Sequence, residues 1–544
     1  MTRDGTRSVG RFVADPNRLE RIQKRTYRIR LTTGEQLCLR GKFSVSVDRA
    51  HSHDQAQFLF NGARTSFELW SEFVPVDALP WQSAPVWQVQ TEYVQLRVKD
   101  RSSRAYPWPL KLSRTPVDRD TEAAEPSRSR FVVPPLEYEP TKLERILEAL
   151  QTETAPVVLV CGPRKSGKST LISLLSFLGW PRFGAPLVME LDIGQNLFLA
   201  PGYVSLHALR ALAWPVWKAP TERIESFFCG FVTPLSDPQL YATCVEHLWQ
   251  VGALYRGRRL ILVNTLGWTQ GYGRSLLQTL IEMIQPNLIV RIDETMPSIG
   301  TEQSLWTKEA SLTTFGDNCT VFHLESAPES SRVRRALSPA HMRASQILHE
   351  LLQRCDLERS YGTLADYFRW LVWMNSPAFP VVQQLCSVPP WCVALDTFSV
   401  VFVTDANGMR CLRPETDREF LYRILNASIV ALCVAQEELG DSTPRRRLLH
   451  SPGLGLVRSI DIDNGLLYMI TSLPGSVLEQ TMALATSPDV QLPAAALQLG
   501  GMQAEPYLGL ACTGGVEEPA SDRTAESRKN LLRRRLRNAS TLGA

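Results

Sequence analysis

One stretch limits this chain more than any other: "VCGPRKSGKSTL", residues 160–171. It fits G-x-x-x-x-G-K-[ST] through Gly162, Gly167, Lys168 and Ser169, with an apolar "VVLV" before it and a helix-forming "STLISLLSFL" after it. A strand, a glycine-rich turn and a helix in that order make a cradle for phosphate. Backbone N–H groups turn inward and the helix N-terminus adds its positive dipole end. The expected contacts come from Gly162, Pro163, Arg164, Lys165, Ser166, Gly167, Lys168, Ser169 and Thr170. Lys168 is suited to the β/γ-phosphates and the Ser169 hydroxyl to a magnesium ion.

The surrounding pattern tells what kind of domain owns the loop. "PVVLV", "PLVMELD", "RLILVNT", "NLIVRID" and "CTVFHL" are continuous apolar runs, separated by amphipathic stretches such as "GRSLLQTLIEMIQ". Strands apolar on both faces and spaced by helices imply an α/β domain with a parallel sheet covered on both sides. Before it, "YRIRL" and "FSVSV" alternate with period two and read as an all-β domain over residues 20–112. Residues 113–130 are rich in Ser, Arg, Glu and Pro and read as a linker. The α/β domain then occupies 131–353, an α+β domain 354–512 and a basic tail 513–544. Within the α+β domain, "DREFLYRILNASIVALCVAQ" is expected to be helical, and Asn464-Gly465 is the turn of a tight hairpin.

Composition excludes several classes. No apolar run is long enough to span a bilayer, so no membrane role is expected. The N-terminus is polar and basic without an apolar core segment, so no secretory signal is expected. The 11 cysteines are scattered singly without C-x-x-C, so neither a zinc site nor a disulfide framework is expected. The net charge of +4 is small, but "SRKNLLRRRLRNAS" near the C-terminus concentrates arginine. That stretch suits a solvated tail, a nuclear or nucleolar address, or contact with RNA.

Two further constellations carry chemistry. In "VMELDIGQ", Glu190 and Asp192 stand two apart at the end of an expected strand, which would aim both carboxylates to one face. Beside a metal-bound triphosphate one acid can hold the metal or its waters while the other takes a proton from an attacking hydroxyl. A guanine-reading Asn-Lys-x-Asp is absent from the chain. In "NTLGWTQGYG", Thr265 and Trp268 follow a parallel strand, where open α/β sheets bind ligands. The indole is suited either to the core or to stacking on a base.

Together, "GPRKSGKST", "ELDIGQNLFLAPGYVSLH" and "VNTLGWTQGYG" resemble the polynucleotide 5′-hydroxyl kinase family. "GLGLVRSIDIDNGLLYMITSLP", "VQLPAAALQLGG" and "PYLGL" are similar to its nucleolar, pre-rRNA-processing branch. The resemblance implies a P-loop NTPase core with a parallel sheet, flanked by an N-terminal all-β domain and a C-terminal α+β domain. It implies transfer of the ATP γ-phosphate, with Mg²⁺, to 5′-hydroxyl RNA ends in processing of an internal transcribed spacer. It further implies pre-rRNA as substrate, an endoribonuclease partner subunit, and residence in the nucleus and nucleolus. Carried over by position, Asp192 matches the general base, Glu190 a metal ligand, Gln195 part of the substrate site, and Thr265 and Trp268 a clasp on the RNA. A lid with arginines falls on "SSRVRRALSPAHMRASQILHELL"; Arg335 and Arg343 are the choices, with Arg332 and Arg334 competing. Two departures are visible: "FLAPG" where the family more often has Thr-Pro-Pro-Gly, and Glu190 in place of Asp. The alternative from another class is a catalytically silent ATP-binding scaffold of an RNA-processing complex.

Overall fold

The computed structural model describes, with short gaps, residues 155–293, 319–325, 339–352 and 388–492. It also gives a strand outline of residues 10–131 and parts of 145–150. The linker 113–129, the start of the α+β domain at 354–387 and the basic tail lie outside the described residues.

Two compact units are formed, and neither is continuous in sequence. The first takes residues 1–189, 207–222 and 254–336; the second takes 190–206, 223–253 and 337–544.

In the first unit the alternating N-terminal segments pair as expected. Leu19–Gln23 runs antiparallel to Thr26–Thr32, which pairs with Tyr93–Asp100, which pairs with the long strand Glu35–Ala50. The same unit holds the parallel core. In chain order we label β1 (Val157–Cys161), α1 (Lys168–Phe183), β2 (Leu187–Glu190), β3 (Ile261–Asn264), α2 (Tyr272–Ile284), β4 (Leu288–Asp293) and β5 (Thr320–Glu325). The spatial order is β5-β4-β1-β3-β2, with β1 parallel to both β3 and β4 and β4 parallel to β5. Every residue of β1 is buried, which is why the sequence there is a solid apolar run rather than an alternation. Burial of this kind stabilises by about 25 cal/mol per Å² of apolar surface.

The start of β1 is tied down by one side chain. Asn287 Oδ1 accepts the Val157 amide at 2.9 Å, and the Asn287 amide donates to the Val157 carbonyl at 2.9 Å. Asn287 thereby prolongs the ladder between β1 and β4 by one rung.

The second unit contains the helix Pro238–Ala253, the helix α3 (Pro339–Leu351) and a seven-stranded sheet. The strands of that sheet are β6 (Trp391–Ala394), β7 (Ser399–Thr404), β8 (Gly408–Leu412), β9 (Ile429–Cys433), β10 (Gly453–Asp461), β11 (Leu466–Thr471) and β12 (Ala483–Thr486). Their order is β6-β11-β10-β9-β12-β7-β8, antiparallel except for the β7–β12 pair. Phe402, Leu432, Val457, Met469 and Leu484 are among the residues of its core.

Two local expectations change. The stretch read as one helix over 417–436 is helical only around Leu421 and Ile424–Leu425 among its described residues, and Ile429–Cys433 is a strand with all five residues buried. Ala427, with φ of 58°, breaks the helix, and a short apolar run flanked by sheet partners gains more as a central strand. The turn at Asn464-Gly465 is part of a four-residue loop, because Asp461 pairs with Leu466. Asp461 accepts from both the amide and the side chain of Asn464, which closes the wider turn.

Replacing Asn287 by alanine strands the Val157 N–H at the buried end of β1. Unfolding by denaturant is expected to show a loss of about 1–3 kcal/mol, where a surface-like change near zero would contradict the role given to this side chain.

Candidate functional site

In the first unit the phosphate loop runs from the end of β1 into α1. Gly167 sits at the helix N-cap with φ of 105°, a conformation that favours glycine. No side chain caps α1, so its first N–H groups are not answered by a capping side chain. Lys168 is 7% exposed and its Nζ donates to the carbonyls of Gly162 at 2.9 Å and Pro163 at 2.8 Å. The ammonium is thus folded back along the loop. Ser166 is 5% exposed and its hydroxyl has no hydrogen-bond partner. A buried hydroxyl without a partner is costly unless a ligand supplies one. Ser169 and Thr170 follow on the first turn of α1, partly exposed, while Pro163 is partly exposed and Arg164 exposed. Lys165 lies outside the described residues.

The turn after β3 is fastened to the same strand. Thr265 is 1% exposed, and both its amide, at 3.2 Å, and its hydroxyl, at 2.9 Å, donate to the Val160 carbonyl. Thr265 is therefore a structural anchor in this geometry, with its hydroxyl engaged. Two residues on, Gly267 lies against the phosphate loop: a Cβ there would come within 2.6 Å of Arg164 Cγ and 3.0 Å of its Cα. Trp268 is partly exposed, and its ring lies 5.7 Å from that of Tyr272, tilted by 42°. Tyr272, 47% exposed, was not singled out by the sequence. The structure thus fastens Thr265 to Val160 and sets Gly267 against Arg164, while the indole of Trp268 packs on Tyr272.

The second unit begins at Glu190, the last residue of β2, and carries the acids. Strand β2 ends at Glu190, so the period-two argument stops there and Asp192 stands in the turn beyond it. Glu190 is fully buried and its Oε1 accepts the Asp192 amide at 2.9 Å. Asp192, partly exposed, turns its Oδ1 back to the amides of Gly194 at 3.0 Å and Gln195 at 3.2 Å. Such an Asx-type turn fixes the carboxylate without a helix or strand to hold it. Below it, the hydroxyl of fully buried Tyr241 donates to the Leu191 carbonyl, and burial holds that phenol well above its usual pKa.

Arg343 is on α3 in this unit; Arg332, Arg334 and Arg335 lie outside the described residues. Helix α3 runs along the acidic loop. Gln195 Nε2 is 3.9 Å from Met342 Sδ, Gln346 Nε2 donates to the Asn196 carbonyl at 2.5 Å, and Glu350 Oε2 accepts the Ala200 amide at 2.8 Å. Positions 342, 346 and 350 are spaced by four and share one helix face. Nothing in the sequence distinguished Glu350 from a surface glutamate. Among the described residues no group of three or more His, Cys, Asp or Glu is placed to hold a metal ion.

Comparison with known proteins gives the following relatives. A family model described as mRNA cleavage and polyadenylation factor CLP1 P-loop matches residues 162–344, and one described as NOL9-like, C-terminal domain matches 387–492. Polynucleotide 5′-hydroxyl-kinase NOL9 of Arabidopsis thaliana is 25% identical over 367 residues, covering 65% of this chain and 90% of that protein. The chain is thus similar, over about two thirds of its length, to proteins named polynucleotide 5′-hydroxyl kinases. NOL9 of Mus musculus is 25% identical over 62% of the chain, which spans about half, 49%, of that protein. GRC3 of Cryptococcus neoformans is 25% identical over 448 residues, with 57% of that protein covered. Among solved structures, wild-type Clp1p in its complex with Pcf11p matches with a TM-score of 0.50 and 14% identity, covering 85% of this chain and 97% of that one. At that identity the likeness concerns the fold.

Gly267→Ala would push the turn after β3 off Arg164. Binding of a fluorescent nucleoside triphosphate is expected to weaken about tenfold, the equivalent of ~1.4 kcal/mol of overpacking. Unchanged affinity would show that the turn does not bear on the phosphate loop.

Proposed function

We propose that this chain is an ATP-dependent RNA 5′-hydroxyl kinase acting in rRNA maturation. The observation that carries the reading is the pairing of chemistries in one chain: a phosphate loop with a buried, partnerless Ser166 hydroxyl, and an aspartate held in place by two backbone amides. Both stand within the region matched by the CLP1 P-loop family model. A silent scaffold would need only the first.

In this reading the loop amides, Ser166 and Lys168 bind the triphosphate. Asp192 takes the proton from the RNA 5′-hydroxyl. The hydroxyl oxygen then bonds to the γ-phosphorus, the bond to the β–γ bridging oxygen breaks, and ADP leaves. Arg343 and Arg335 are the side chains assigned to the charge that spreads over the transferring phosphoryl. Gln195 and Trp268 are assigned to the RNA, the indole by stacking on a base.

An oxygen donor suits a hard divalent ion. Ser169, first-turn and partly exposed, is the side chain that would hold Mg²⁺, which when bound supplies neutralisation of the phosphate oxygens. The buried Glu190, whose Oε1 already accepts the Asp192 amide, is better matched to bracing that aspartate than to reaching the ion directly.

The RNA is proposed to be a pre-rRNA end left by an endoribonuclease partner, and the place of action the nucleolus; the NOL9-like C-terminal match supports this branch. The decisive assay is transfer of labelled γ-phosphate from ATP to a 5′-hydroxyl RNA oligonucleotide. Lys168→Ala is expected to remove transfer while leaving the fold intact, and full residual activity would refute the assignment. Asp192→Asn is expected to keep ATP affinity near wild type and to lower kcat by ~10²–10⁴. A matching loss of ATP affinity would instead give Asp192 a metal-holding role.

A further inference from the structure

Helix α3 carries a residue that the reaction as described does not use. Glu350 is buried, 5% exposed, and its two oxygens serve two distant chain segments. Oε2 accepts the Ala200 amide at the end of the acidic loop, and Oε1 accepts the Leu454 amide, at 2.7 Å, at the start of β10 in the C-terminal sheet. The approach is close: a Cβ on Gly453 would stand 2.6 Å from Glu350 Oε1. With Met342 and Gln346 against Gln195 and Asn196, Glu350 completes a stripe that lays α3 along the loop.

We propose that Glu350 is a positioning residue for phosphoryl transfer: it clamps α3, and with it Arg343, to the acidic loop that carries Asp192, using the C-terminal sheet as the fixed point. The proposal rests on the kinase reading above.

The surroundings explain why a carboxylate is used. Both partners are N–H donors, and only an ionised carboxylate offers an acceptor oxygen to each. An amide would present one N–H to another. The packed elements contribute their own polar groups. Tyr203 bonds through its hydroxyl to Ser451, the Ser226 hydroxyl donates to the Ser451 carbonyl, Arg223 donates to the Pro452 carbonyl, and Glu225 pairs with His450. Burial pushes the Glu350 carboxyl up to about 7, partly offset by the two amides and by the Arg223 guanidinium. Its folded value thus lies above the ordinary 4.5. The sign follows: Glu350 favours the folded state most below about 4.5, and that contribution is lost as pH rises through about 7. The clamp behaves oppositely, because protonation below about 7 leaves one of the two oxygens a poor acceptor.

The experiment compares the full chain with Glu350→Gln and Gly453→Ala by steady-state transfer from pH 6 to 8.5 and by amide hydrogen exchange. Expected for both variants are a kcat lower by roughly ten- to hundredfold, a nearly unchanged KM for ATP, and faster exchange confined to residues 192–203 and 339–352. Wild type is expected to lose kcat as pH falls through about 7, a limb that Glu350→Gln lacks. Unchanged exchange in the loop and helix, or faster exchange with an undiminished kcat, overturns the clamp. Unfolding spread over the whole chain also overturns it, since the residue would then be merely structural. A wild type that binds ATP but transfers nothing sinks the kinase reading instead, and the exchange comparison still decides the clamp.

Discussion

The Val160 carbonyl receives both the amide and the hydroxyl of Thr265, and the phosphate-binding end of this protein depends on that pair of hydrogen bonds. Val160 precedes the loop by two residues, so any play in its position would be passed directly to the phosphate contacts. The tie removes that play from one side, while the ladder with β4 removes it from the other. A strand buried along its full length cannot tilt without opening a cavity, and interiors tolerate little of that. The phosphate loop is therefore preorganised by backbone packing, and its side chains have only to answer the ligand.

The acidic motif reaches rigidity by another route. Asp192 lies beyond the last rung of β2, where no ladder holds it. Its own turn does so instead, with two amides on Oδ1, and the buried Glu190 carboxylate fixes the residue from behind through its backbone. Burying a carboxylate is expensive unless it is hydrogen-bonded. That cost is a reason for a residue at this position to be more than a second surface acid, and it separates the tasks of the pair.

Much of this was legible in the sequence, for reasons that also explain the rest. The strands β1 to β4 announce themselves because a parallel sheet covered on both faces needs unbroken apolar runs, and the helix α2 (Tyr272–Ile284) because its apolar residues recur at the helical spacing. The phosphate loop is local in sequence, so spacing alone defines it. "SIVALCV" failed for the complementary reason: a short, wholly apolar run fits a buried helix or a central strand equally well, and only the partners β10 and β12 decide. Alternation likewise misplaced Asp192, because it assumes that the strand continues past Glu190. Glu350 carried no local signal, since its partners are 150 and 104 residues away.

Those separations bear on how the protein is built. The acidic loop, α3 and the NOL9-like domain fall in one compact unit although 190–206, 337–352 and 387–492 are far apart in the chain. Contacts of such span pay loop-closure entropy before they return any stability, and they form late. Until residue 454 is in place, the far end of α3 has lost one of the two bonds that Glu350 makes, and the loop bearing Asp192 lacks its fixed support. A C-terminal domain appended only for docking would not need a glycine at 453 to admit a glutamate from a helix a hundred residues earlier. The close fit at that point ties the sheet to the helix that lies along the acidic loop.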